Sequence, residues 1–166
     1  MSDARKGLRY FVDSLSFVDL DIDLVVFGKN SHLALSHDKY KVYDFGLISS
    51  SELMKELYQA TDIFILPSLQ DNLPNTVMES MACGTPVVAF RVGGVPEMID
   101  HKVNGYLAEY MSAEDLARGI EWVLKNNENN VLGKSAREKV VREYSEEIVA
   151  KKHIQLYESL LNEPKH

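Results

Sequence analysis

Four short apolar runs constrain the fold of this chain more than any other feature of its sequence. They are Leu24-Val25-Val26-Phe27-Gly28, Val42-Tyr43-Asp44-Phe45-Gly46, Ile63-Phe64-Ile65-Leu66-Pro67 and Pro86 to Phe90. Each has the length of a strand, and the first three stop at Gly or Pro. Helical periods lie between them. Lys6 to Phe17 places Leu8, Phe11, Val12 and Leu15 on one face, and Ser50 or Ser51 caps a helix carrying Leu53, Leu57 and Tyr58. Asn104-Gly105 reads as a turn before a brief strand at Tyr106-Leu107, and helices follow at about 112–126, 129–143 and 145–161. The Asn126-Asn127-Glu128-Asn129-Asn130 run reads as an exposed loop. Strands alternating with helices predict an α/β fold whose parallel sheet is covered on both faces. Ligands of such sheets gather at the strands' C-terminal ends, where Gly28, Gly46, Pro67 and Arg91 fall.

The stretch from Pro67 to Glu97 carries the chemistry. Pro74 is best tolerated in the first turn of a helix, which places the helix start near Leu73. The main-chain N–H groups of Asn75 and Thr76 then point out of that start, where the macrodipole also favours an anion. Val77 and Met81 mark the buried stripe. Glu79 lies ~200° round from Val77 and shares a face with Asn75 and Thr76. The rise from Asn75 to Glu79 is ~6 Å, which suits a phosphate at the helix start and a sugar diol one turn along. An ionised carboxylate offers only acceptors to two hydroxyl donors. A surface Glu is usually just solvated; the whole string, not Glu79 alone, carries this reading.

Composition narrows the partners. The net charge is −7, which argues against nucleic acid and against acidic membranes. An anionic ligand must therefore be held by local donors. Hydrophobic and charged fractions of 45% and 26% are those of a globular protein of ordinary size. No apolar run approaches the ~20 residues that cross a bilayer, and no secretory signal precedes the first helix. The lone Cys83 rules out an internal disulfide and suits a reducing, cytoplasmic setting; beside an amphipathic helix it reads as a small core residue. The five histidines form no metal spacing, and no metal site is expected.

The string resembles the nucleotide-binding region of retaining glycosyltransferases with the GT-B fold, in particular the group 1 (family 4) enzymes. Their signature is an acidic residue, seven intervening residues and a Glu, then Met-Ala-x-Gly-x-Pro-Val-Val and Gly-Gly-x-Pro-Glu. Here these are Asp71, Glu79, Met81-Ala82-Cys83-Gly84-Thr85-Pro86-Val87-Val88 and Gly93-Gly94-Val95-Pro96-Glu97. The departure is Asp71, where the family usually has Glu; the charge is kept on an arm about one methylene shorter. Because the resemblance spans nearly the whole chain, residues 1–166 are expected to be the Rossmann-like, nucleotide-sugar-binding C-terminal domain. The acceptor-binding N-terminal domain is expected to lie outside the sequence.

The resemblance implies roles. Asp71 orients donor-sugar hydroxyls and Glu79 the ribose. Lys6, with Gly7 after it, reaches the diphosphate, with Arg5 a weaker candidate; Asn72, Leu73, Asn75 and Thr76 form the rest of the donor site. Gly46-Leu47-Ile48 matches a loop that packs on the nucleobase. Gly28-Lys29-Asn30 is a lesser candidate, and Glu97 braces a loop. No cofactor is implied beyond the nucleotide-diphosphate sugar, which is the donor substrate. The implied reaction moves its sugar to the hydroxyl of an acceptor glycan or lipid-linked glycan, in making a bacterial surface polysaccharide. Peripheral membrane association is expected of the full-length enzyme only, and the isolated domain is expected to be inactive. A non-catalytic nucleotide-sugar-binding module and another GT-B enzyme, such as a nucleotide-sugar epimerase or a phosphorylase, are the alternatives.

In the family an apolar strand precedes the Lys-Gly helix in mid-sheet, whereas only Met1 to Arg5 precede Lys6 here. A distorted or five-stranded sheet around 24–27 and 63–66, or pairing with another copy, is therefore expected. Lys6 is expected to be poorly anchored.

Overall fold

A computed structural model describes residues 4–28 and 39–162. Five strands are described: β1 (Asp23–Val26), β2 (Lys41–Asp44), β3 (Phe64–Leu66), β4 (Val87–Phe90) and β5 (Gly105–Ala108). All pairings are parallel, in two sheets ordered β1-β2 and β3-β4-β5. Among the described residues no ladder joins β1 to β3, so the sheet breaks at the expected place. The helices are α1 (Leu8–Leu15), α2 (Ser51–Ala60), α3 (Asn75–Ala82), α4 (Val95–Met98), α5 (Ala113–Asn126), α6 (Val131–Tyr144) and α7 (Glu146–Asn162). None of them is long and apolar enough to cross a membrane.

Strand β4 shows why the layers form. All four of its residues are buried, and their side chains alternate between faces. Val88 and Phe90 join Phe11 and Leu15 of α1 and Leu116 and Ile120 of α5. Val87 and Ala89 join Val77 and Met81 of α3 and Ala136 of α6. Fully burying a Val, Leu, Ile, Phe or Met side chain contributes roughly 1.5–3 kcal/mol, so β4 anchors both cores at once. Helix α2 is capped by Ser50, whose side chain accepts from the Leu53 N–H; Leu57 and Tyr58 are buried, but Leu53, in the first turn, is on the outside. The asparagine run is more than a loop. Asn127 Oδ1 accepts the Leu132 N–H at 3.0 Å, and Asn130 Nδ2 donates to the Gly84 carbonyl at 3.1 Å.

Candidate functional site

Helix α3 begins at Asn75, two residues later than the sequence suggests. Pro74 is the residue before the helix, at φ −69° and ψ 117°, and Leu73 before it is steered away from helical backbone by the proline ring. The shift leaves both expected N–H groups in the first turn. The Val77 N–H is taken by the Pro74 carbonyl at 3.0 Å. The N–H groups of Asn75 and Thr76 have no acceptor among the described residues, and no side chain caps the helix. Val77 and Met81 are fully buried and Glu79 is exposed, as their spacing requires.

Three backbone segments meet beneath Asp71. The Asp71 side chain is 19% exposed, and its Oδ2 stands 3.5 Å from Lys6 Nζ. Lys6 is anchored from behind: the Leu69 N–H donates to the Arg5 carbonyl at 2.7 Å. Gly7, at φ +65°, lies so close to β3's exit that a Cβ there would sit 1.8 Å from the Pro67 carbonyl oxygen. Poor anchoring of Lys6 is thus not what the structure has. On the other side, a Cβ on Gly93 (φ +48°) would meet the Asp71 carbonyl oxygen at 1.9 Å, and one on Gly94 the Asn72 oxygen at 2.3 Å. The Gly94 N–H donates to that Asn72 oxygen at 2.6 Å. Only glycine permits this stacking of main chain on main chain. The double glycine, which in sequence marks only a turn, holds the Asp71 loop.

Glu79 has a partner that periodicity does not reveal. Tyr58 Oη donates to Glu79 Oε2 at 3.4 Å. Burial, and then the Glu79 charge and this bond, push the Tyr58 phenol well above its ordinary range. Its ring is walled edge-to-face by Phe27 and Phe64, with centroids at 6.1 and 5.4 Å. Cys83, just after α3, is half-buried, and burial raises its thiol against the opposing pull of Lys55 and Arg137.

The structure therefore brings Lys6, Asp71, Asn72 and the glycine loop together, with Leu73, Asn75, Thr76 and Glu79 following on the same loop and helix. Gly46 and Leu47 stand apart just past β2. Leu47 is 80% exposed, and the Gly46 carbonyl accepts the Gly28 N–H at 2.7 Å. Lys29 and Asn30 lie outside the described residues. Glu97 falls in α4, an element missed in the sequence, where its carbonyl accepts from Tyr144 Oη at 3.2 Å. No cluster of His, Cys, Asp and Glu among the described residues is arranged to hold a metal ion. The arrangement offers two N–H donors and an ammonium for an anion, and two carboxylates for hydroxyls.

Residues 1–126 match the family model described as glycosyl transferases group 1. Over 92% of its length the chain is 31% identical to an uncharacterized glycosyltransferase of Methanocaldococcus jannaschii, of which it spans 42%. Over 66% of its length it is 36% identical to the amylovoran biosynthesis glycosyltransferase AmsK of Erwinia amylovora, of which it spans 28%. The solved structure of Anabaena HepE in complex with UDP-glucose superposes with a TM-score of 0.76 over 95% of this chain and 46% of that one, at 21% identity. That last likeness is one of fold. The chain spans less than half the length of each of these relatives.

Proposed function

The chain belongs to the group 1 glycosyl transferases, and from that premise we propose that it is the donor-binding C-terminal domain of a retaining enzyme. The domain holds a nucleotide-diphosphate sugar, and the whole protein moves the sugar to an acceptor hydroxyl with its anomeric configuration kept. The diphosphate sits at the start of α3 on the Asn75 and Thr76 N–H groups, with Lys6 meeting the charge that develops as it departs. Asp71 and the adjoining Asn72-Leu73 loop face the donor sugar, Glu79 takes the ribose diol, and Gly46-Leu47 takes the base. The single observation that carries this reading is the pair of free N–H groups at a helix start, one turn before an outward carboxylate and beside the Lys6–Asp71 contact at 3.5 Å.

That HepE was solved with UDP-glucose supports a nucleotide-sugar donor. AmsK's role in amylovoran biosynthesis supports a polysaccharide product. The acceptor glycan or lipid-linked glycan is held by a further domain. Titration calorimetry with UDP, GDP and ADP tests the donor site. One of them binds, and Glu79→Ala weakens it by ~1.5–3 kcal/mol, the range for hydrogen bonds to a charged group; unchanged affinity in that variant sinks the ribose assignment. The 166 residues alone transfer no sugar, because nothing holds the acceptor at attack distance. Turnover by the purified chain would overturn that division of labour.

A further inference from the structure

Glu79 is an exposed residue on a surface helix, and such a side chain ordinarily wanders among its rotamers. Here one of its oxygens faces a side chain packed into the core. Tyr58 is 2% exposed. Phe27 and Phe64 stand edge-on to its ring at 89° and 88°. Its carbonyl accepts from both Thr61 Oγ1 and Thr85 Oγ1, which fixes the main chain beneath it. Its hydroxyl ends on Glu79 Oε2 at 3.4 Å. No other donor bonds this carboxylate among the described residues. The contact is long for O–H···O, so its worth lies in direction more than in energy. The rings hold the hydroxyl at one point, and the carboxylate turns to meet it.

We propose that Tyr58 is a positioning residue: it occupies one oxygen of Glu79 so that the other is aimed at the ribose hydroxyls of the bound nucleotide. The inference rests on the donor-site reading above. It gives Glu79 a fixed acceptor in place of a mobile one, so less freedom is lost when the diol binds. The raised phenol favours its protonated form, so Tyr58 is the donor in this contact.

Tyr58→Phe keeps the ring and its packing and removes only the hydroxyl. The probe is whichever of UDP, GDP and ADP binds the chain most tightly, compared by calorimetry with its 2′,3′-dideoxy counterpart. Tyr58→Phe is expected to weaken the ribonucleotide ~3–10-fold, a coupling of the size seen between residues in contact, and to leave the dideoxy compound unchanged. On a Glu79→Ala background it is expected to add nothing. If Glu79→Ala loses affinity and Tyr58→Phe does not, the positioning role is overturned and the ribose reading stands. Equal losses for both nucleotides mean a merely structural tyrosine and also overturn it. If Glu79→Ala binds both compounds as the parent does, the ribose assignment fails and the inference with it; if none of the three nucleotides binds, the donor-site reading itself fails.

Discussion

Gly93→Ala isolates the contact that holds the Asp71 loop. Two costs add at this position. The first is backbone: at φ +48° an alanine sits in the left-handed region, which costs ~1–2 kcal/mol for a residue with a Cβ. The second is steric. The new Cβ lies 1.9 Å from the Asp71 carbonyl oxygen, whereas ordinary contact begins at 3.4 Å. The difference, 3.4 − 1.9 = 1.5 Å, must be taken up by main chain that also carries the 2.6 Å bond from Gly94 to Asn72. Forced overpacking of this kind costs ~1–3 kcal/mol, for a total of ~2–5 kcal/mol, a large share of the 5–15 kcal/mol of a typical domain. Gly46→Ala is the control. It shares the positive φ, +59°, but a Cβ there meets nothing within 4 Å, so it pays the backbone cost alone. Urea denaturation of both variants reads the difference, expected to be at least ~1 kcal/mol. Equal midpoints would refute the argument that the glycine is required by the approach of Asp71.

Lys139 is 5% exposed and its Nζ meets Asp100 Oδ1 at 2.7 Å, while the Asp100 side chain is 49% exposed. Asp100→Asn leaves a buried ammonium without its anion, whereas Lys139→Met fills the space with apolar atoms and leaves a carboxylate that water reaches. Asp100→Asn is therefore expected to be the more destabilising, by ~1–3 kcal/mol, and the reverse order of denaturation midpoints would contradict this. His101 Nδ1 accepts the Leu107 N–H at 3.1 Å, and burial, then Lys102 and Arg91, hold the ring below its ordinary value. A lowered folded pKa means that its stability contribution is present above the unfolded value of ~6.5 and lost as pH falls through the folded one. His101→Asn, which retains an acceptor, is expected to flatten the fall of the urea midpoint below that pH; an identical profile would exclude the histidine as its source.

What periodicity encodes was legible. Val77 and Met81 had to face inward and Glu79 outward because 3.6 residues make a turn, and β4 had to be buried because its run is continuous. What the sequence hid were contacts made at long range by small features. Val-Pro-Glu-Met is too short to display a period, so α4 reads as loop. Leu53 has the right spacing for the α2 stripe, but it falls in the first turn, where it stays on the outside. Gly93-Gly94 announces a turn, yet its purpose is set by Asp71 and Asn72, which arrive from elsewhere in the chain. Asn130 looks solvated until Gly84 comes to meet it. Tyr58 looks like core, and nothing local tells that its hydroxyl ends on a carboxylate 21 residues away.

The division of the strands into two and three has a consequence in the language of hydrogen exchange. The β1-β2 pair is a ribbon with no further strand hydrogen-bonded to it among the described residues, and two-stranded ribbons are marginal by themselves. Its amides are expected to exchange through a local opening of low free energy, and those of β4, buried along its whole length, only on global unfolding. Phe27, at the ribbon's exit, is also one wall of the Tyr58 ring. Each opening of the ribbon thus slackens the tether on Glu79. If a nucleotide binds as proposed, with Glu79 on the ribose and Gly46-Leu47 on the base, exchange in β1 and β2 is expected to slow.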